Sequence, residues 1–175
     1  MTPAFQSLAA ALLIAAALPQ PAHAEQTPNE ETTTLPIDAA EQAMLIAIAD
    51  AQQSFPRFWQ AYQAQAPGTD RFATKIRLQA GSDGVEHVWV TGLAEAPVGY
   101  TGILGNEPER LSRTFTKGDT IAFGPMDVTD WGYAEGTKLR GHFTTRARLP
   151  KMAAMEADQI RSLLHDDPFP PAPQP

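Results

Sequence analysis

Glu86-His87-Val88-Trp89-Val90-Thr91 is the stretch whose reading decides the fold. It is filled with β-branched and aromatic residues, which suit a pleated, half-buried surface. Side chains alternate faces along a strand, so Glu86, Val88 and Val90 point one way while Val85, His87, Trp89 and Thr91 point the other. Both faces are partly apolar. That predicts a central strand with a helix against one side and a curled sheet or small barrel on the other.

Upstream, Phe72, Thr74, Ile76 and Leu78 alternate with Ala73, Lys75 and Arg77, a strand with one apolar and one basic face. Gly81-Ser82-Asp83-Gly84 supplies positive-φ positions for a hairpin, so the two strands pair antiparallel. Downstream, residues 99–105 predict a third strand interrupted by Gly102, residues 109–115 an exposed polar loop, and Ile121 and Phe123 a fourth short strand. Residues 125–130 read as irregular, and residues 138–149 as the last strand of the core.

Before the sheet the apolar period is that of a helix. Asp38 followed by Glu41 has the form of a capping box, and Met44, Ile48, Ala51 and Phe55 make one apolar stripe. Pro56 removes an N–H and crowds the preceding turn, which predicts a break or kink near Ser54 and a second short segment carrying Phe58, Trp59 and Tyr62. After the sheet, Pro150 fits a first helical position, and Met152, Met155, Ile160, Leu163 and Leu164 follow at helical spacing. The expected architecture is α+β: an N-terminal kinked helix packed on a twisted antiparallel sheet of about five strands, open or barrel-like, plus a C-terminal helix over residues 150–165.

The ends of the chain read differently. An apolar run from Leu8 to Leu18 is too short to span a bilayer as a helix, and Ala22-His23-Ala24 follows it, the pattern of a signal peptide over residues 1–24. A periplasmic or secreted location is therefore expected, with no stable membrane anchor after cleavage. Residues 25–37 are rich in Thr, Glu, Pro and Gln and read as a disordered linker, and the proline-rich residues 166–175 as a disordered tail. Lys and Arg total 13 against 20 Asp and Glu, for a net charge of −7, so a nucleic-acid partner is not expected. The chain has no cysteine, which removes disulfides and thiolate chemistry.

Candidate site residues cluster around the opening stretch. His87 invites a general-base reading, with Asp130 as an orienting acid in a small hydrolase; the plainer reading is a structural histidine and a turn aspartate. Glu86 and His87 point to opposite faces and cannot act together. His87, Trp89, Asn106, Asp130 and Trp131 could line a ligand groove, or Trp89, Trp131 and Tyr133 could fill the sheet core. Arg146 and Arg148 share a face of the expected last strand, to pair with Asp127 or Asp130 or to offer a small anion site. His23 and His165 lie in the signal and near the tail, which leaves His87 and His142 without carboxylates at ligand spacing; no metal is expected. No cofactor is expected either, since a nucleophile elbow, a phosphate-cradling glycine loop and a Walker sequence are all missing from the sequence.

Glu86-His87-x-Trp89-Val90, Gly102-x-Leu104-x-Asn106-x-Pro108, Asp130-Trp131 and Gly141-x-Phe143-Thr144-x-Arg146 occur in this order. Together they resemble the YegJ-like family, domain of unknown function 2314, over about residues 40–149, with the C-terminal helix as an addition to the family pattern. The resemblance implies a single small bacterial α+β domain without an assigned activity. The leading expectation is a non-catalytic binding or interaction module for a small ligand or a protein partner. A third reading places a partner on an exposed Met152, Met155 and Ile160 stripe.

Overall fold

A computed structural model describes residues 38–79 and 84–171. The expected signal peptide, the linker up to residue 37, Gly81-Ser82-Asp83 of the hairpin and residues 172–175 lie outside the described residues.

The first helix, α1 (Ala39–Ala64), begins where Asp38 accepts from the N–H groups of Ala40 and Glu41 at 2.7 and 2.8 Å. It ends at Gln65, whose left-handed φ of 43° lets its N–H reach Ala61 O. The expected break at Pro56 does not occur, and the helix continues through it. A proline inside a helix costs about 3 kcal/mol. Phe55, Phe58 and Trp59 on either side of it are all buried against the sheet, each contributing about 1.5–3 kcal/mol, and their sum exceeds that cost. Side chains tie the helix further just before this point: Ser54 Oγ donates to Asp50 O, and Trp131 Nε1 donates to Ala51 O at 3.1 Å.

Six strands follow: β1 (Thr69–Gln79), β2 (Val85–Glu95), β3 (Tyr100–Leu104), β4 (Thr120–Phe123), β5 (Val128–Glu135) and β6 (Lys138–Gly141). They form one antiparallel sheet in the order β4-β3-β2-β1-β5-β6 that does not close into a barrel. One face packs on α1. Ile76, Val88, Val90 and Trp131 are buried in that core, with the rings of Phe58 and Trp131 stacked 5.1 Å apart and those of Phe72 and Tyr133 4.7 Å apart. His87 and Trp89 point to the other face, as the alternation requires.

The most enclosed strand is β5, not β2: residues 128–134 are all buried. The segment read as irregular therefore contributes the start of a core strand. Thr129, Asp130 and Gly132 hid it, because a strand covered on both faces need not alternate. The other large correction is the last strand. β6 stops at Gly141, opposite Gly132, and residues 143–148 turn into a short helix, α2 (Phe143–Arg148), alongside the part of β5 that β6 does not reach. Two backbone features force the exit. Gly141 has φ +75° and lies so close to Trp131 that a Cβ would run into its carbonyl oxygen, and His142 follows at φ +55°.

Residues 109–115 are not a wholly solvated loop either. Leu111 is 0% exposed and Phe115 packs partly on the core.

After a 3₁₀ turn at Leu149–Lys151, the last helix, α3 (Ala154–Leu163), buries Ala157 in a small cluster with Leu149 and Leu164. Met152 and Ile160 pack partly on that cluster while Met155 is 76% exposed, so the three do not form one exposed stripe. The expected tail lies against the domain as far as Pro171. Arg140, only 8% exposed, donates from Nη1 to Asp167 O at 3.0 Å and Phe169 O at 2.8 Å. Arg146 Nη2 donates to His165 O at 2.8 Å, and the Phe169 ring packs 5.4 Å from that of Phe143.

Candidate functional site

The outward face of the sheet carries most of the polar chemistry, and register decides who meets whom. Lys75 on β1 lies opposite Trp89 on β2 and Asp130 on β5, and Arg77 lies opposite His87. Between Lys75 and Ile76 the β1/β5 register shifts by one, which leaves Thr129 as an extra residue on β5. A bulge of this kind re-aims a side chain. Here it brings Thr129 Oγ1 to Lys75 O at 3.3 Å and to His87 Nδ1 at 3.0 Å.

A threonine hydroxyl has one proton. Thr129 gives that proton to Lys75 O, so it accepts from His87 Nδ1–H, and Nε2 is left as the basic nitrogen of the ring. Partial burial lowers the pKa of His87, and the nearby Lys75 and Arg77 cations lower it further.

Asp130 is elsewhere engaged. It is 0% exposed, and its Oδ1 accepts from Trp131 N and Phe143 N, both at 2.9 Å. Its Oδ2 accepts from Thr144 N at 2.9 Å and Thr144 Oγ1 at 2.6 Å. These bonds hold the first turn of α2 on β5. Thr144 gives its proton to Asp130 and so accepts from Lys75 Nζ, 3.5 Å away. Burial lowers the Lys75 pKa; Asp130 opposes that shift and Arg148 adds to it. The Lys75 ammonium also stands 5.6 Å from the centre of the Trp89 ring.

Six of these neighbours, with His87, enclose a cavity of about 240 Å³: Met44 and Ile48 from α1, Lys75 from β1, Thr129 from β5, and Thr144 and Arg148 from α2. A shallower depression of about 430 Å³ lies on the other side of His87, between Val85, Glu86, Asn106, Glu107, Glu109 and Arg110. Its wall is fixed by Glu86, whose carboxylate accepts from the N–H groups of Glu109, Arg110 and Leu111 at 2.9, 2.9 and 3.3 Å. Burial would raise the Glu86 pKa, but the three backbone donors outweigh it and lower the value. Another cavity of about 240 Å³ lies between Arg57, Ala61, Tyr133 and Pro171. Arg57 Nη2 there donates to Pro170 O, and Arg57 Nε is buried without a hydrogen-bond partner among the described residues.

The five residues of the expected groove are thus divided. His87 and Asn106 do share a depression. Trp89 is half-buried under Lys75 and the ring of His142, whose centre is 5.5 Å away. Asp130 is sealed as a cap for α2, and Trp131 faces α1, where its Nε1 donates to Ala51 O and Ser54 Oγ. His87 pairs with a hydroxyl, and the hydrogen bonds of Asp130 go to Trp131, Phe143 and Thr144. Arg146 and Arg148 lie on α2, where Arg146 holds Gly141 O and His165 O instead of Asp127 or Asp130. Among the described residues no three His, Asp or Glu side chains converge in a way that could hold a metal ion. Lys75 was legible as part of the basic face of β1; Thr129, Thr144, Met44 and Ile48 carried no signal of a site.

Fold and geometry define a small α+β domain with an open antiparallel sheet and a cation-lined cavity where α1, α2 and three strands meet. The chain belongs to the family described as "Uncharacterized protein conserved in bacteria (DUF2314)", whose model matches residues 41–164. It is 27% identical over 124 residues to the "Uncharacterized protein YegJ" of Escherichia coli (strain K12), which covers 71% of this chain and 78% of that relative. No solved structure matches. The family match runs through α3, so the C-terminal helix is part of the family pattern and not an addition to it.

Proposed function

We propose that the protein is a non-catalytic binding module of the periplasm or the extracellular space, and that its ligand meets the face on which His87 stands. One observation carries the reading. His87 lies on the divide between two depressions, its Nδ1 is fixed by Thr129, and its free Nε2 is left for a visitor. A small hydrolase using His87 as base and Asp130 as orienting acid has less support. That reading needs an acid on the ring, whereas Thr129 holds Nδ1 and both oxygens of Asp130 accept from Trp131, Phe143 and Thr144.

The test is native mass spectrometry of the full chain purified gently from its own host, beside its His87→Ala variant. The expected spectrum shows the added mass of a small molecule on the parent protein and a bare variant. It also reads the location, since a polypeptide mass lacking residues 1–24 marks signal cleavage. A bare parent protein that also binds no added small ligand would overturn the small-ligand reading, and an intact N-terminus would overturn secretion.

A further inference from the structure

The chain carries a net charge of −7, yet the cavity beside α2 gathers Lys75, His87 and Arg148 from three different elements. The ion pairs among the described residues are Arg71–Asp70, Arg140 with Glu135 and Asp167, and Arg161–Asp158; none includes a cation of the cavity. Lys75 is half-buried and, among the described residues, has only the Thr144 hydroxyl and the Trp89 ring as direct partners. Asp130, the acid beneath, favours the charged lysine from behind the Thr144 hydroxyl, and its oxygens are taken by Trp131, Phe143 and Thr144. The exposed Arg148 guanidinium repels the half-buried Lys75 ammonium, and a bound negative charge relieves that repulsion. Both threonine hydroxyls have already given their protons inward, so the donors facing the cavity are the Lys75 ammonium, the Arg148 guanidinium and, once protonated, His87 Nε2. Met44 and Ile48 supply an apolar wall.

We infer that this cavity takes a small organic anion: a carboxylate or phosphate head against Lys75 and Arg148, on a short aliphatic body against Met44 and Ile48. The inference rests on the binding reading and names the ligand class of that site.

Titration calorimetry of the full chain with butyrate, butyl phosphate, inorganic phosphate and butan-1-ol tests it. A four-carbon anion binds, and whichever head binds more tightly identifies carboxylate or phosphate as the source. Inorganic phosphate and butan-1-ol bind roughly tenfold more weakly or not at all, since each lacks one half of the recognition. Lys75→Met and Arg148→Gln each weaken the four-carbon anion by roughly tenfold, the loss of one charged hydrogen bond. Arg148 is exposed, so its variant keeps the parent melting temperature and separates lost binding from lost folding. Equal binding of butan-1-ol, or unchanged affinity in Arg148→Gln, overturns the inference. A neutral molecule that copurifies with the parent and is lost from His87→Ala, with no butyrate or butyl phosphate binding, sinks the anion and spares the binding reading. Absence of both a copurifying ligand and anion binding sinks the two together.

Discussion

Asp130 and Glu86 each gather backbone N–H groups from a segment distant in sequence: Asp130 those of Phe143 and Thr144, Glu86 those of Glu109, Arg110 and Leu111. The chemistry is the same and the surroundings are opposite. Asp130 lies in the core, where a donor deprived of its acceptor finds no water. Glu86 lies at the rim of an open depression, where solvent can replace most of what it supplies. A buried carboxylate can therefore decide whether an element forms at all, whereas a rim carboxylate decides only how firmly a loop is held.

Asp130→Ala should show the largest effect, a loss of about 3–5 kcal/mol in urea unfolding, since it strands several buried donors at once. If Glu86→Ala cost as much, the contrast between the two regions would collapse. A smaller effect is expected from pH on the buried side. Burial holds His142 below its ordinary pKa of 6.5; Asp130 opposes that shift, and Arg146 and Lys75 reinforce it. Between its folded value and 6.5 the unfolded chain binds the extra proton, so stability is complete above 6.5 and falls as pH drops toward the folded value. Melting curves across this window should decline on acidification, and His142→Gln should flatten that decline; a slope unchanged in the variant would assign it to another group. The smallest effect belongs to Glu86→Gln, about 1 kcal/mol or less, seen as faster amide exchange at residues 109–111 with the rest of the domain unaltered. Faster exchange throughout would mean that this loop is part of the cooperative core.

The same contrast explains what could be read from the residues. β1 and β2 were legible because Ile76, Val88 and Val90 alternate with Lys75, His87 and Trp89, the pattern of a sheet with one face on the core and one toward polar surroundings. β5 was not, because its neighbours cover both faces and edges and remove any period. Residues 143–148 read as strand because Thr144, Arg146 and Arg148 alternate with apolar or small residues, and the hydrogen bonds that make them a helix come from Asp130, thirteen residues before Phe143. The cavity was illegible for a related reason. It is assembled by a register shift at Thr129, by Met44 and Ile48 of a helical stripe that looks like ordinary core, and by Thr144 and Arg148 of a helix that reads as strand. His87 could be named from its strand, but its partner is a hydroxyl that only the bulge brings near.

The fastening of the C-terminal segment has a consequence for how the protein is made. Arg140 finds its carbonyl acceptors at Asp167 and Phe169, and Gly141 N donates to Pro168 O. Synthesis runs from the N-terminus, so the sheet can gather while those acceptors have yet to be added. A nascent chain halted at residue 164, where the family match ends, would hold a desolvated guanidinium with part of its donor set unanswered. Folding is thereby tied to the addition of residues 167–169, and a product cut before them would be the one most exposed to proteases.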